Sequence, residues 1–122
     1  MTRKLLLCGG TGLLGKTLTQ HLVREDVQVV LLVRRPPHPH PESDIVEVEW
    51  HPERPGGTVD LLPLEGCYAA VHLAGANLAS HRWTPSYKRL IVSSRVETSR
   101  ALGRIFAALT APPPVVVAAS AI

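Results

Sequence analysis

The chain has 122 residues, a net charge of +3 and 45% hydrophobic residues, which allows one domain with a real core and excludes a disordered chain. No apolar run approaches the ~18 residues of a membrane span, the KLLLCGG start is too short for a signal peptide, and Cys8 and Cys67 form no metal or redox spacing, so a reduced cytoplasmic protein with no membrane partner is expected. The 13 Lys and Arg residues are scattered and never interleave with aromatics, which argues against nucleic acid as a partner.

Residues 3–8, RKLLLC, read as a short buried strand running into glycines, and LLGKTLTQHLVRE follows as a helix with Leu14, Leu18 and Leu22 at i, i+4 spacing. VQVVLLV (27–33) is a continuously apolar strand of the kind covered on both faces in a parallel sheet. RRPPHPHPE is a loop, because its prolines forbid a ladder or a helix; His38 and His40 within it lack a third ligand at metal spacing, so no metal is expected. DIVEVEW (44–50) alternates, as a strand near an edge would. After a Pro/Gly-rich stretch over 52–66, YAAVHLAG (68–75) is a fourth strand. Thr84-Pro85 is an N-cap followed by proline at the first helical position, and that helix is expected to run to about residue 110, where APPP stops it. PVVVAASAI (114–122) is the fifth strand.

This order predicts an α/β fold, a Rossmann-type doubly wound parallel sheet with its first five strands. No helix follows the fifth strand, so residues 1–122 read as the NADP-binding N-terminal portion of a longer protein. The same reading predicts an exposed apolar strand and self-association.

The chemistry concentrates in CGGTGLLGKT, residues 8–17, where three phosphate-binding patterns overlap. Gly10-x-Gly12-x-x-Gly15 is the dinucleotide fingerprint, Gly9-x-x-Gly12-x-x-Gly15 the short-chain dehydrogenase spacing, and Gly10 to Thr17 fits the triphosphate loop G-x-x-x-x-G-K-T. In each, glycines let backbone N–H groups approach a phosphate and the next helix points its positive end at the charge. A triphosphate loop also needs Mg²⁺, held partly by an aspartate closing an apolar strand. No strand here closes on aspartate, so Lys16-Thr17 reads as two polar helix residues. A dinucleotide site instead needs a ribose discriminator about 20 residues on, and that count lands on Arg34-Arg35. Aspartate there would select NAD; arginine favours the 2′-phosphate of NADP, which a guanidinium grips with two charge-assisted bonds. NADP is therefore the expected cofactor and NAD the less favoured one.

GGTGLLG, VVLLVRR, EVEWHP, AVHLAG, RWTPSYK and SSRVETSRALG, in this order, resemble the atypical extended short-chain dehydrogenases, the NAD(P)-dependent epimerase family whose members are often described as nucleoside-diphosphate-sugar epimerases. The resemblance spans nearly the whole chain but only the N-terminal two-fifths of a typical member. It implies that Gly9, Gly10, Thr11, Gly12 and Gly15 cradle the diphosphate, with Leu13 and Leu14 beneath the cofactor. It places Val33 and Arg34 at the adenosine ribose, and Leu73, Ala74 and Gly75 behind the ribose and adenine. It also makes Arg95 a cofactor contact. Read from the helix alone, residues 87, 90, 91, 94, 98, 101, 102, 105 and 109 form one largely apolar or small stripe, and Arg95 lies about 60° from its centre; it is either an arginine whose stem covers the core edge or a charge paired by an anionic ligand.

The superfamily's Tyr-x-x-x-Lys pair, in which lysine lowers the tyrosine pKa for proton exchange during hydride transfer, is absent. Tyr68 is followed four residues later by His72, and Tyr87 by Ile91, so the tyrosine position is expected beyond Ile122. Ser120 sits where the superfamily places a substrate-facing hydroxyl. The function expected of the longer protein is hydride transfer at a carbonyl or alcohol carbon of a small, sugar-nucleotide-like substrate. The alternatives are a non-catalytic NADP-sensing module and a P-loop nucleotide hydrolase. His72 reads as a core or cleft residue and Cys8 as a small buried hydrophobe. Trp50 and Trp83 read as core anchors or cleft walls.

Overall fold

Five parallel strands, β1 (Arg3–Cys8), β2 (Val27–Val33), β3 (Ile45–Glu49), β4 (Ala69–His72) and β5 (Val116–Ala118), form one sheet in the order β3-β2-β1-β4-β5. The structure is a computed structural model that describes residues 3–9, 12–52, 59–73 and 85–118. Helix α1 (Leu13–Arg24) connects β1 to β2, and α2 (Pro85–Ala108) lies between β4 and β5. This is the doubly wound Rossmann arrangement.

Strand alternation sorts the core into two layers. Leu5 and Leu7 of β1 and Val27, Val29, Leu31 and Val33 of β2 pack on one face with Leu18, Leu22 and Val23 of α1. Leu6, Cys8, Val30 and Leu32 point the other way, onto Ala101, Leu102, Ile105 and Leu109 at the end of α2. A strand whose neighbouring residues must enter different cores has to be apolar throughout, hence LLLC and VVLLV. The expected inner stripe of α2 is confirmed from Thr98 onward, since Thr98, Ala101, Leu102, Ile105 and Leu109 are all buried.

The structure corrects the stripe on α1. Leu18 and Leu22 pack on the sheet, whereas Leu14, in the first turn of α1, is 64% exposed. The Pro/Gly-rich stretch also holds an unexpected 3-10 turn, Leu62–Leu64, whose Leu64 is fully buried against the α2 layer. Trp50 is a core anchor in that layer, tied to β2 by its backbone N–H donating to the Val33 carbonyl at 2.8 Å.

Candidate functional site

In a sheet of this order, β1 is followed by β2 and β3 on one side and β4 and β5 on the other. The carboxyl ends of β1 and β4 therefore flank the topological switch point, where ligands bind in open α/β sheets. Gly9 follows β1 directly, with φ of 92°, a left-handed conformation that glycine adopts without a Cβ penalty. It ends the strand on the side from which the chain goes on to α1. On the β4 side, the Leu73 backbone N–H donates to the Cys8 carbonyl at 2.7 Å, so Leu73, the residue directly after β4, lies beside the start of the glycine turn.

Gly12 is the N-cap of α1, with φ of −76°, which any residue could adopt. A Cβ built on it would come no nearer to the protein than 4.0 Å, at the Gly9 carbonyl. Nothing in the fold itself demands glycine there; a Cβ would fill only the space in front of the helix. The α1 N-terminus has no side-chain cap and no acidic residue in its first turn, which leaves its N–H groups and positive dipole end to an external anion. The residues present thus fit a dinucleotide diphosphate: Gly9, Gly12 and the first amides of α1 would hold it, and exposed Leu14 stands beside them. Gly15, one turn in, is buried, and its carbonyl accepts from the Thr19 hydroxyl at 2.8 Å.

The two arginines at the end of β2 have different surroundings. The register pairs Cys8 with Leu32; continued by one residue it sets Gly9 beside Val33, with Arg34 next. Arg34 is exposed, and its positive charge is felt at the Cys8 thiol. Arg35 turns the other way. Its guanidinium donates to both carboxylate oxygens of Glu47, at 2.5 and 3.2 Å. Val33 itself is buried in the α1 layer.

Glu47 was not singled out in the sequence, nor was any role for His38 and His40. Its side chain is only 3% exposed, yet it is fully engaged: besides Arg35 it accepts from the His38 backbone N–H at 2.9 Å and is bonded to His40 Nε2 at 2.7 Å. These donors hold its carboxyl down at about 2, with the Arg35 hydrogen bond the largest cause. The histidines of the Pro-rich loop are thus loop anchors. In the sequence, the alternation of Glu47 with Val46 and Val48 reads only as the polar face of a strand near an edge, so nothing local marked it as buried.

Cys8 is buried and its thiol is pushed up to about 12, burial outweighing the opposing charge of Arg34; it is a core residue and not a nucleophile. His72 closes β4 and is buried. Lys16 and Thr17 are exposed on α1. Gly10, Thr11, Ala74, Gly75, Trp83 and Ser120 lie outside the described residues, as do the side chains of Leu13, Tyr87 and Arg95. No helix among the described residues is long and apolar enough to cross a membrane.

The family model of the NAD dependent epimerase/dehydratase family matches residues 5–121. The chain belongs to this family. An epimerase family protein of Staphylococcus haemolyticus is 34% identical over 119 residues, covering 98% of this chain and 38% of the relative. The crystal structure of human epimerase family protein SDR39U1 with NADPH superposes with a TM-score of 0.72 at 30% identity, covering 98% of this chain and 37% of that one. The fold is shared further with uronate dehydrogenase of Agrobacterium tumefaciens complexed with NAD, at a TM-score of 0.65 and 20% identity, covering 99% of this chain and 42% of that one. This epimerase-family chain spans about 38% of the length of the curated relatives it matches. Membership makes the chain an NAD(P)-binding Rossmann domain, and none of these relatives supports the triphosphate pattern that runs through Lys16-Thr17.

Proposed function

We propose that the chain binds NADP in preference to NAD, and that it serves as the cofactor-holding part of a cytoplasmic oxidoreductase or epimerase acting at a carbonyl or alcohol carbon of a small, sugar-nucleotide-like substrate. The observation that carries this reading is the placement of Arg34, exposed and one residue past the level of Gly9, at the switch-point end of the sheet. An adenosine ribose reaching from the glycine turn toward the end of β2 would bring its 2′-phosphate to that guanidinium, which can pair with it bidentately. The human relative holding NADPH supports the reading. The NAD complex of a protein with the same fold makes the arginine, and not the fold, the argument for the phosphate.

When bound, the nicotinamide supplies or accepts the hydride. The work of this chain is to fix the diphosphate at Gly9, Gly12 and the α1 N-terminus and to fix the adenosine end at Arg34. Arg35, occupied by Glu47, would have to give up that pair to reach a ligand, so the phosphate falls to Arg34.

A parallel titration with NADPH, NADH and Mg·ATP, followed by tryptophan fluorescence, tests the reading. Energy transfer to NADPH that weakens tenfold or more in Arg34→Ala, on the scale of a lost charged hydrogen-bond pair, is the expected result. Equal binding of NADH would remove the phosphate assignment, and a response to Mg·ATP alone would overturn the cofactor.

A further inference from the structure

We infer that Glu47 is a positioning residue for cofactor choice: by holding Arg35 and the loop through His40 against β3, it fixes where Arg34 stands relative to the glycine turn. The inference rests on the NADP reading above.

The geometry is specific. Glu47 pairs with Leu31 in the β2–β3 ladder and, by alternation with Val46 and Val48, faces the α1 side of the sheet. No helix residue meets its carboxylate among the described residues; the loop after β2 does. Three points of that loop converge on one carboxylate: the Arg35 guanidinium, the His38 N–H and His40 Nε2. Arg35 also donates to the Pro36 carbonyl at 3.3 Å, and the Ser43 N–H donates to the His40 carbonyl at 3.3 Å, closing a turn before β3.

The arrangement has two consequences. A segment with prolines at 36, 37, 39 and 41 has few backbone N–H groups to donate, so it cannot be ordered by a ladder. A buried carboxylate substitutes as its anchor, and a charge that is 3% exposed is tolerated only while its partners stay in place. Arg35, adjacent to Arg34, is thereby held away from the ribose site. With that neighbour clamped at both carboxylate oxygens, the backbone at 34 has little freedom, and the Arg34 side chain starts from a fixed base. An arginine already anchored loses less conformational entropy on gripping a phosphate than one on a free loop.

The test isolates the 2′-phosphate by comparing 2′,5′-ADP with 5′-AMP, each measured calorimetrically on the wild-type chain, Glu47→Gln, Arg35→Met, the Glu47→Gln/Arg35→Met pair and Arg34→Ala. The expected result is that Glu47→Gln weakens 2′,5′-ADP by about tenfold, the order of one charge-assisted contact, and leaves 5′-AMP within about twofold. Arg35→Met should do the same, and the double variant should lose no more than either single one, because the two residues act as one unit. The double variant also removes the buried charge together with its partner, so it keeps the test valid if a single variant fails to fold. An equal loss of both nucleotides in Glu47→Gln, or no loss of either, would overturn the inference while leaving the NADP reading intact, provided that Arg34→Ala still abolishes the preference. An additive loss in the double variant would assign Arg35 directly to the phosphate and overturn it as well. A wild-type chain with no preference for 2′,5′-ADP would overturn the NADP reading and this inference together.

Discussion

The backbone N–H of Leu73 donates to the carbonyl of Cys8 at 2.7 Å, tying the carboxyl ends of β4 and β1 together at the place where the order of the sheet reverses. Gly9 and Leu73 thus stand side by side at the end of the sheet where open α/β sheets take their ligands, a placement set by the ladder register before any side chain is considered.

Gly9→Ala tests that geometry. At a φ of 92° an alanine pays the steric cost of the left-handed region, and the expected loss is about 1–2 kcal/mol of unfolding free energy. The turn would relax and carry the α1 N-terminus with it, so NADPH affinity should fall by more than the stability change alone predicts. Urea unfolding beside a fluorescence titration separates the two; a variant of wild-type affinity would show that the turn is not part of the site.

Lys16→Ala is the complementary case. Lys16 is exposed on α1, and on the proposed NADP reading the triphosphate pattern that includes it is incidental. NADPH affinity is expected to stay within about twofold of wild type, and stability within about 0.5 kcal/mol. A tenfold loss of nucleotide binding would reopen the triphosphate reading.

Much of this was legible in the sequence, for a physical reason. Continuous apolar runs and a glycine cluster are local signals, and a parallel sheet converts them directly into β1, β2 and the turn at Gly9. The limits of α1 and α2 followed from periodicity and proline. Glu47 was illegible because its role depends on partners 12, 9 and 7 residues earlier in a segment whose prolines read only as loop. Leu64 was hidden in the same way, since a core residue on a single 3-10 turn has no period to display. Leu14 misled in the other direction, as the i, i+4 pattern shows which residues share a helix face but not how far toward the helix end that face stays covered.

Leu64→Ala puts a number on the hidden core contribution. Leu64 is fully buried beneath the end of α2, and truncation there should cost about 2–5 kcal/mol. A midpoint shift in urea unfolding without a change in slope would report it. A cost below about 1 kcal/mol would mean that the 62–64 turn collapses into the space without loss.

The Glu47 carboxyl gives the chain an acid dependence of definite sign. Its pKa falls from 4.5 to about 2 on folding, so its stabilisation is complete above the unfolded value and is lost as pH falls from about 5 toward 2. The shift would represent about 3 kcal/mol, but Arg35 is 39% exposed and solvent screening reduces this to about 1–2 kcal/mol. Glu65, whose carboxylate accepts from the Ala111 and Thr110 N–H groups, is lowered too and acts in the same sense. The informative quantity is therefore the difference between wild type and Glu47→Gln. That difference in unfolding free energy should be largest at pH 7 and shrink toward pH 2.5; a difference independent of pH would mean that the carboxylate carries no net charge interaction.

At the other end of the sheet, Val115, Val116 and Val117 are 53, 48 and 55% exposed, and β5 pairs only with β4 among the described residues. An apolar strand with an open edge is a template for pairing with another chain. We propose that the 122-residue chain associates through β5, and that Val116→Lys or Val117→Lys suppresses it by placing a charge on that surface. Sedimentation velocity over a concentration series should show wild type shifting to larger species while the lysine variants stay monomeric. Wild type that remained a single monomeric species at high concentration would show that three half-exposed valines are too small a patch, on a strand of three residues, to hold two copies together.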